Sequence, residues 1–463
     1  MTMRLTGIAL ALLLSASALV AQKELPPPGG KPKDFTLPRK TEVTLPNGLK
    51  AVLVPYGSLP KVTVSVVVRS GNINEKENEV WLADVTGDMM KEGTRSRSAR
   101  QIAEEAASMG GSVNISTGLD QTTINGDVLA EYGPNLVSLL ADIVRNPLFP
   151  ESELQRIKND RVRQLTVAKS SPQQQALEQF RRIIHGNHAY GRIFPTQEML
   201  EGYTLDQIRR FHEDNFGARR TTVYVAGVFD MAAMEQAIRK EFSSWKPGPE
   251  PLIDIPKPSM KKAFHLIDRP GAPQSTIYLG LPVANPYDQD FVPLVVTNAL
   301  LGGSFGSRIT SNIREQKGYT YSPFSQLSSR YRDAYWAEVA DVTTDVTGPA
   351  LQEIFKEIRR LQNEPPPADE LKGIQNYLAG TFVLQNSSPG GIIGQLAFLN
   401  LHGLSDDYLT KYVQNVYAVT PQKVSEMTRK YIREDSMTLV ITGDKKKIEP
   451  QIEEYAKPAP EMK

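Results

Sequence analysis

What most constrains this chain is that it repeats itself. Thr204-Leu205, followed by a strand pattern TTVYVAG ending at Gly227, reappears as Thr420-Pro421 and MTLVITG ending at Gly443, both at an offset of 216 residues. Pro60 ahead of VTVSVVV matches Pro273 ahead of STIYLGL at an offset of 213. A period of this length, carrying both helical and strand patterns, describes two copies of one α+β unit. Between them lies Lys246–Pro258, KPGPEPLIDIPKP, where five prolines in thirteen residues exclude a helix or a central strand. The expected organisation is a first domain over 41–245, a linker over 246–258 and a second domain over 259–456.

Within the first copy, Thr41–Thr44 and Leu49–Val54 alternate around Pro46-Asn47-Gly48, a hairpin signal, and the β-branched Lys61–Arg69 reads as a buried strand. A helix follows over Val80–Thr94 and a second over Ser98–Met109, ended by Gly110-Gly111. Two further strands are expected at Val113–Thr117 and Gln121–Val128. Helices are then expected at Pro134–Val144, from a Ser152-x-x-Gln155 capping box to about Ala168, and at Pro172–Ile184. Thr204–Asn215, a strand at Thr221–Ala226 and Met231–Phe242 complete the unit. Short connections between such elements favour an α+β fold, each half a mixed or largely antiparallel sheet with helices on one face.

Composition excludes several classes of function. The 53 basic and 52 acidic residues balance to a formal charge of +1, with no basic run that could track phosphates, so nucleic acid is not an expected partner. The chain has no Cys, hence no disulfide, thiolate metal site or lipoprotein acyl site. Met1–Ala21 has a positive start, a short apolar run and small residues up to Leu19-Val20-Ala21, the pattern of a secretory signal peptide cleaved after Ala21 or Ala18. Residues 22–40 are a Pro/Gly/Lys-rich leader, read as extended or mobile. No other apolar stretch approaches the roughly 20 residues of a spanning helix. The expected mature protein is therefore periplasmic, with no membrane insertion.

The helix over Val80–Thr94 carries the chemical question. Leu82, Val85 and Met89 form its apolar stripe, which leaves Asp84 and Asp88 sharing another face. In the zinc motif H-x-x-E-H, two His at that spacing hold the metal and the intervening Glu activates water. Here those positions are Asp84, Gly87 and Asp88. Two carboxylates one turn apart make either a solvated helix face or ligands for a hard cation such as Mg²⁺ or Ca²⁺.

Several stretches together resemble one family. LPNGLKAVLV at Leu45–Val54, Gly71, the Gly93-Thr94 stop, GGSVNIST at Gly110–Thr117, Ser171-Pro172, HAYGR at His188–Arg192 and LGGSFGSRITSNIREQKGYTYS at Leu301–Ser322 are similar to pitrilysin/insulinase-type zinc peptidases. The likeness is greatest to their mitochondrial-processing-peptidase-like branch. It implies two homologous halves of the LuxS/processing-peptidase type, clasped around a cavity that binds peptides. It also places the family's third metal ligand, a Glu on a later helix, at Gln164, 76 residues after Asp88. All four metal-site positions, Asp84, Gly87, Asp88 and Gln164, thus depart from the family pattern, and the set is a poor one for zinc. No cofactor is expected in this chain.

The resemblance assigns substrate binding to Arg314 and Tyr321, a pair with which the family's second half grips peptide near the scissile bond. A guanidinium offers paired donors to a carbonyl, and a phenol can donate to a developing oxyanion. The same residues could instead pair with a helix carboxylate and pack at a sheet edge. Gly302 and Gly303 lie in the same signature, read as a tight turn beside the cavity in preference to a phosphate cradle. Asn114 corresponds to a family Asn beside an edge strand that extended peptides pair with, a structural role being equally open. His185 and His188 are the one His pair at ligand spacing and border the HAYGR turn. The expected function is a non-catalytic, substrate-binding subunit of a heteromeric peptidase. Its partner would be a homologue with an intact H-x-x-E-H that carries the zinc, in a heterodimer or dimer of heterodimers. The alternatives are an inert scaffold or peptide-binding protein, and an independent hydrolase, for which no nucleophile elbow or Cys is present.

Overall fold

The computed structural model describes residues 35–456. The signal peptide, and the leader up to residue 34, lie outside the described residues.

Among the described residues, eleven strands form two sheets. The first half supplies β1 (Thr41–Thr44), β2 (Lys50–Pro55), β3 (Lys61–Val68), β4 (Ser112–Thr117), β5 (Thr122–Leu129) and β6 (Thr221–Gly227). The second supplies β7 (Ala263–Asp268), β8 (Gln274–Pro282), β9 (Phe324–Arg330), β10 (Asp333–Thr343) and β11 (Thr438–Gly443). Their orders are β1-β2-β6-β3-β5-β4 and β7-β11-β8-β10-β9. Without β1 the two are the same pattern. Each has one parallel pair in the same place, β2 with β6 and β7 with β11, and is otherwise antiparallel. The fold is therefore two like α+β units, and the sequence repeat is a repeat of topology.

Strand alternation builds two cores per sheet. Val62, Val64, Val66 and Val68 of β3 point into the first half's own helices, while Val67, with Tyr224 and Ala226 of β6, points the other way. In the second half Ile277, Leu279 and Leu281 face their own helices and Tyr278 faces away. Helices on one face alone would leave these second faces exposed; instead each is covered by a helix from the other half. The helix Pro172–His185 lays Ala176, Phe180 and Ile184 on Tyr278, Tyr335 and Val440. Reciprocally, the helix Pro389–His402 lays Ile392, Leu396 and Leu399 on Val54, Val67 and Tyr224. These spacings are those of an apolar helical stripe.

The exchanged helices are themselves copies. Ser170-Ser171-Pro172 and Ser387-Ser388-Pro389 open them, His185-Gly186 and His402-Gly403 end them, at an offset of 217. Ser171 and Ser388 cap the N-termini by accepting from the backbone of Gln174 and Gly391, with Pro in the first turn. Gly186 and Gly403 leave each helix at φ of 56° and 66°, a region glycine enters without strain. This part of the repeat was missing from the segments aligned by sequence.

Three expectations need correction. The helix Glu151–Ser170 begins after Pro150 with no side-chain cap, so Ser152 and Gln155 do not form a capping box; Ser98 with Gln101 and Thr204 with Gln207 do. The opening helix runs over Leu82–Lys91, because Trp81 stands in the left-handed region at φ 68°. The end of the leader is docked rather than loose: Phe35 meets Phe382 edge-on at 5.1 Å, Leu37 packs in the same cluster, and Lys40 bonds Asp406 at 2.7 Å. The linker over 246–258 is an extended strap held to the first half, where Lys246 and Pro247 carbonyls accept from Ala218 and Arg219.

Phe180 is fully buried between the halves. Phe180→Ala should therefore cost roughly 3–5 kcal/mol in denaturant unfolding. Because the loss falls on the shared interface, the transition should broaden or split as the halves uncouple, which circular dichroism against urea would show.

Candidate functional site

In the opening helix, Leu82, Val85 and Met89 are buried as the stripe requires, and Asp84 and Asp88 project together from another side. The helix Glu151–Ser170 packs across it and brings Arg161 and Gln164, one turn apart, to the same place. Arg161 donates from Nε to Asp88 Oδ2 at 2.6 Å and from Nη1 to Gln164 Oε1 at 3.0 Å and Asp84 Oδ1 at 3.3 Å. Thus three of the four positions aligned to the zinc motif converge, as the register implied, and what they converge on is a guanidinium. Lys91 holds the other oxygen of Asp88 at 3.2 Å.

The fourth position is closed in a different way. Gly87 is buried under β4, and a Cβ there would stand 2.5 Å from Thr117 Oγ1. Thr117 fills the space where a longer side chain would have to reach. The residues present do not fit a zinc ion: the acceptors Asp84, Asp88 and Gln164 are bonded to the Arg161 cation, there is no imidazole, and Thr117 leaves no room for a base at position 87. The hard-cation alternative for Asp84 and Asp88 meets the same obstacle, and no group of three or more His, Cys, Asp or Glu among the described residues is arranged to hold a metal.

Behind this ion pair is an unusual carboxyl. Glu75 Oε1 accepts from Ala83 N at 2.9 Å and from Asn72 Nδ2 at 3.0 Å, and Asn72 Nδ2 also bonds Asp84 Oδ2 at 2.7 Å. Burial pushes the Glu75 pKa from 4.5 up to about 8, with Asp84 adding to the rise against the hydrogen bonds that oppose it. Asp84 is likewise raised by burial, more than Arg161 and Asn72 lower it.

The second half presents Arg314 and Tyr321 side by side. The Arg314 guanidinium lies 5.1 Å from the centre of the Tyr321 ring and 4.4 Å from that of Phe305. Tyr321 is 79 % and Phe305 72 % exposed, so neither aromatic serves the core. The sandwich stands on irregular backbone, since Ala299–Gly303 and Ser311–Gln316 both adopt wider π-type turns, a geometry common at functional sites. Phe305 escaped the sequence reading. Its signal was an aromatic flanked by glycines, GGSFGS, nine residues before Arg314.

Gly302 and Gly303 are packing positions. A Cβ on Gly302 would come within 2.6 Å of Glu338 Oε2 and Ser325 Oγ, and one on Gly303 within 2.3 Å of Asn298 Nδ2. Asn114 is exposed on β4, an outer strand of its sheet, opposite Asn125 of β5. His185 and His188 do not converge on a common site: His185 Nε2 pairs with Asp333 at 3.0 Å, whereas His188 Nδ1 accepts from Tyr190 N and its Nε2 lies 3.4 Å from Asp254. A separate concavity of about 900 Å³ lies within the second half, between Tyr287, Val292, Leu404 and Lys411, and includes none of these residues.

Two exchanged halves with a helix pair at the metal-site positions define a protein of the zinc-peptidase fold. The insulinase (peptidase family M16) model matches residues 52–194, and the peptidase M16 inactive-domain model residues 202–378. The chain belongs to the insulinase family of peptidases. It is 25 % identical over 402 residues to the uncharacterized zinc protease YmxG of Bacillus subtilis, spanning 86 % of this chain and 97 % of that one. To the uncharacterized zinc protease SCO5738 of Streptomyces coelicolor it is 22 % identical over 405 residues, spanning 86 % and 88 %. A crystal structure from Pseudomonas fluorescens described as a peptidase M16 inactive domain superposes with a TM-score of 0.81 at 22 % identity, covering 88 % of this chain and 98 % of that chain. A protease from Helicobacter pylori does so with a TM-score of 0.82 at 21 % identity, covering 88 % and 100 %.

Two predictions follow the geometry. Installing the zinc set by Asp84→His, Gly87→Glu, Asp88→His and Gln164→Glu should yield no stoichiometric zinc by elemental analysis while Arg161 remains; adding Arg161→Ala and Thr117→Ala should allow it. For Glu75 the sign is set by a folded pKa above the unfolded one. Its contribution to stability is full below pH 4.5 and is lost as pH rises toward about 8. Glu75→Gln should remove that loss, so the variant's urea midpoint gains on the unaltered protein steadily between pH 5 and 8.

Proposed function

We propose that this protein is a non-catalytic, peptide-binding subunit that completes a zinc peptidase together with a homologue bearing an intact H-x-x-E-H. One observation carries the reading: Asp84, Asp88 and Gln164 are bonded to Arg161, while half-buried Arg314, which also pairs with Glu315 at 3.2 Å, lies against an exposed Tyr321.

In this reading the partner supplies the metal and its bound water. This chain supplies Arg314, whose planar fork orients a peptide carbonyl, and Tyr321, whose hydroxyl donates to the oxygen that gains charge as the peptide bond is attacked. Phe305 holds the guanidinium at a fixed angle by stacking, which limits the entropy lost on binding. The outer edge of β4, with Asn114, offers backbone groups for an extended peptide to pair with. Export to the periplasm by cleavage after Ala21 belongs to the same proposal, and N-terminal sequencing of the mature protein from fractionated cells checks it.

Reconstitution tests the central claim. The purified chain alone should contain no stoichiometric zinc and cleave no peptide, and should confer activity when mixed with its H-x-x-E-H homologue. In the mixed complex Arg314→Ala or Tyr321→Phe should lower kcat/KM by about 100-fold, the usual scale for losing one oxyanion donor, without changing subunit association. A partner equally active alone, or indifferent to both substitutions, would refute the assignment.

A further inference from the structure

The strand β4 ends its sheet and pairs on one side only, with β5. Among the described residues no loop backbone bonds to its outer side. Edge strands are usually shortened, or blunted by Lys, Pro or a bulge, because their free N–H and C=O groups invite another strand. The opposite edge of the same sheet is managed in this way: β1 has four residues and exposes Glu42. β4 has six, SVNIST, with no charge and no Pro.

A cavity lies beside that edge. Its volume is about 360 Å³, and it is walled by Ile102, Ala103 and Ala106 of the helix Ala99–Ser108, by Val113 and Ile115 of β4, and by Ile143 of the helix Gly133–Arg145. Alternation puts Val113, Ile115 and Thr117 on the helix-covered side of the strand and leaves Ser112, Asn114 and Ser116 exposed on the other. Residues opposite one another on paired strands point to the same side of a sheet, with Cβ atoms about 5 Å apart. In a strand added to β4, a residue opposite Val113 or Ile115 therefore aims its side chain to the side where the cavity lies.

The lining fixes the kind of side chain. Lys91 is its one charged residue, and that ammonium is held by Asp88 at 3.2 Å. The rest of the wall is Ala, Ile, Val, Gly111 and Ser112. An apolar side chain gains by leaving water here, whereas a carboxylate would lose hydration and find no partner. The space exceeds the roughly 150 Å³ that accepts a benzene ring in a protein interior, so Leu, Met and Phe all fit.

We propose that the β4 edge and this cavity form one peptide site, in which an extended segment pairs with β4 and anchors itself by an apolar side chain set between the helix Ala99–Ser108 and Ile115. The site deepens the peptide-binding reading above and rests on its strand-edge part alone. It needs neither Arg314 and Tyr321 nor a partner subunit, so this chain selects peptides by itself.

Uncharged Ser/Thr peptides long enough to span β4, differing only in one central residue, are the probes. With the purified chain, fluorescence polarisation should show binding tighter by about 10-fold or more for a central Leu or Phe than for Gly or Asp, the scale of burying one such side chain. Methylating the peptide's backbone nitrogens along the pairing edge should abolish binding of all four. Ala103→Phe, a change at an exposed position, fills the cavity and should bring the Leu and Gly peptides to equal affinity. On the unaltered protein, methyl NMR should show the δ-methyl signals of Ile102, Ile115 and Ile143 shifting further with the Leu peptide than with the Gly peptide, which decides the matter even if the variant does not fold. Equal affinities for the Leu and Gly peptides on the unaltered chain would overturn the proposal and leave the strand-edge reading standing. No binding of any peptide, or edge-to-edge pairing of two copies that peptide does not displace, would overturn both. The reconstitution assay on Arg314 and Tyr321 is independent of all these outcomes.

Discussion

The architecture rests on one exchange: each half lends a helix to cover the second face of the other's sheet. A sheet with apolar residues on both faces cannot stand with one face in water, and each half's own helices reach only one. Val67, Tyr224 and Ala226 on one side, and Tyr278, Tyr335 and Val440 on the other, are satisfied by residues from across the molecule. The Ser-Ser-Pro start and His-Gly stop of each exchanged helix fix its length and entry, so the two halves meet in one register. The irregular segments that carry Arg314 and Phe305 are held on this frame.

The metal-site positions show how two helices can be joined without a metal ligand set. A zinc ion ties two helices together by drawing ligands from both. Here Arg161 from the second helix meets Asp84 and Asp88 from the first, so a cation still sits among acceptors and still joins the two helices. The cation is now a side chain, with no open coordination position and no capacity to activate water. Thr117 against Gly87 completes the closure from the sheet side.

Much of this was legible in the residues. The repeat and the two sheets follow from period, β-branched runs and counted offsets, all local properties, and the register that places Asp84, Gly87, Asp88 and Gln164 together is what the family resemblance implies. Arg161 was not legible, although it stands one turn before Gln164, because its meaning depends on a helix packed against it from some seventy residues away. Phe305 was overlooked for a like reason: an aromatic among glycines reads as a loop residue until Arg314 is found beneath it. The copied helices 217 residues apart could have been found by self-alignment, but even then nothing in their apolar stripes says whose sheet they cover.

By itself, the sequence determined that there are two like units and, through its resemblance to a peptidase family, that the family's zinc ligands are replaced and its Arg/Tyr pair is present in the second unit. These depend on residue identity and spacing along the chain. Only the tertiary structure decided that the halves exchange helices, that a guanidinium stands among the positions aligned to the zinc ligands, and that Arg314 lies half-buried between two exposed aromatics. Charge pairing and burial are properties of neighbours in space, and these neighbours are set by packing between segments that no local pattern connects.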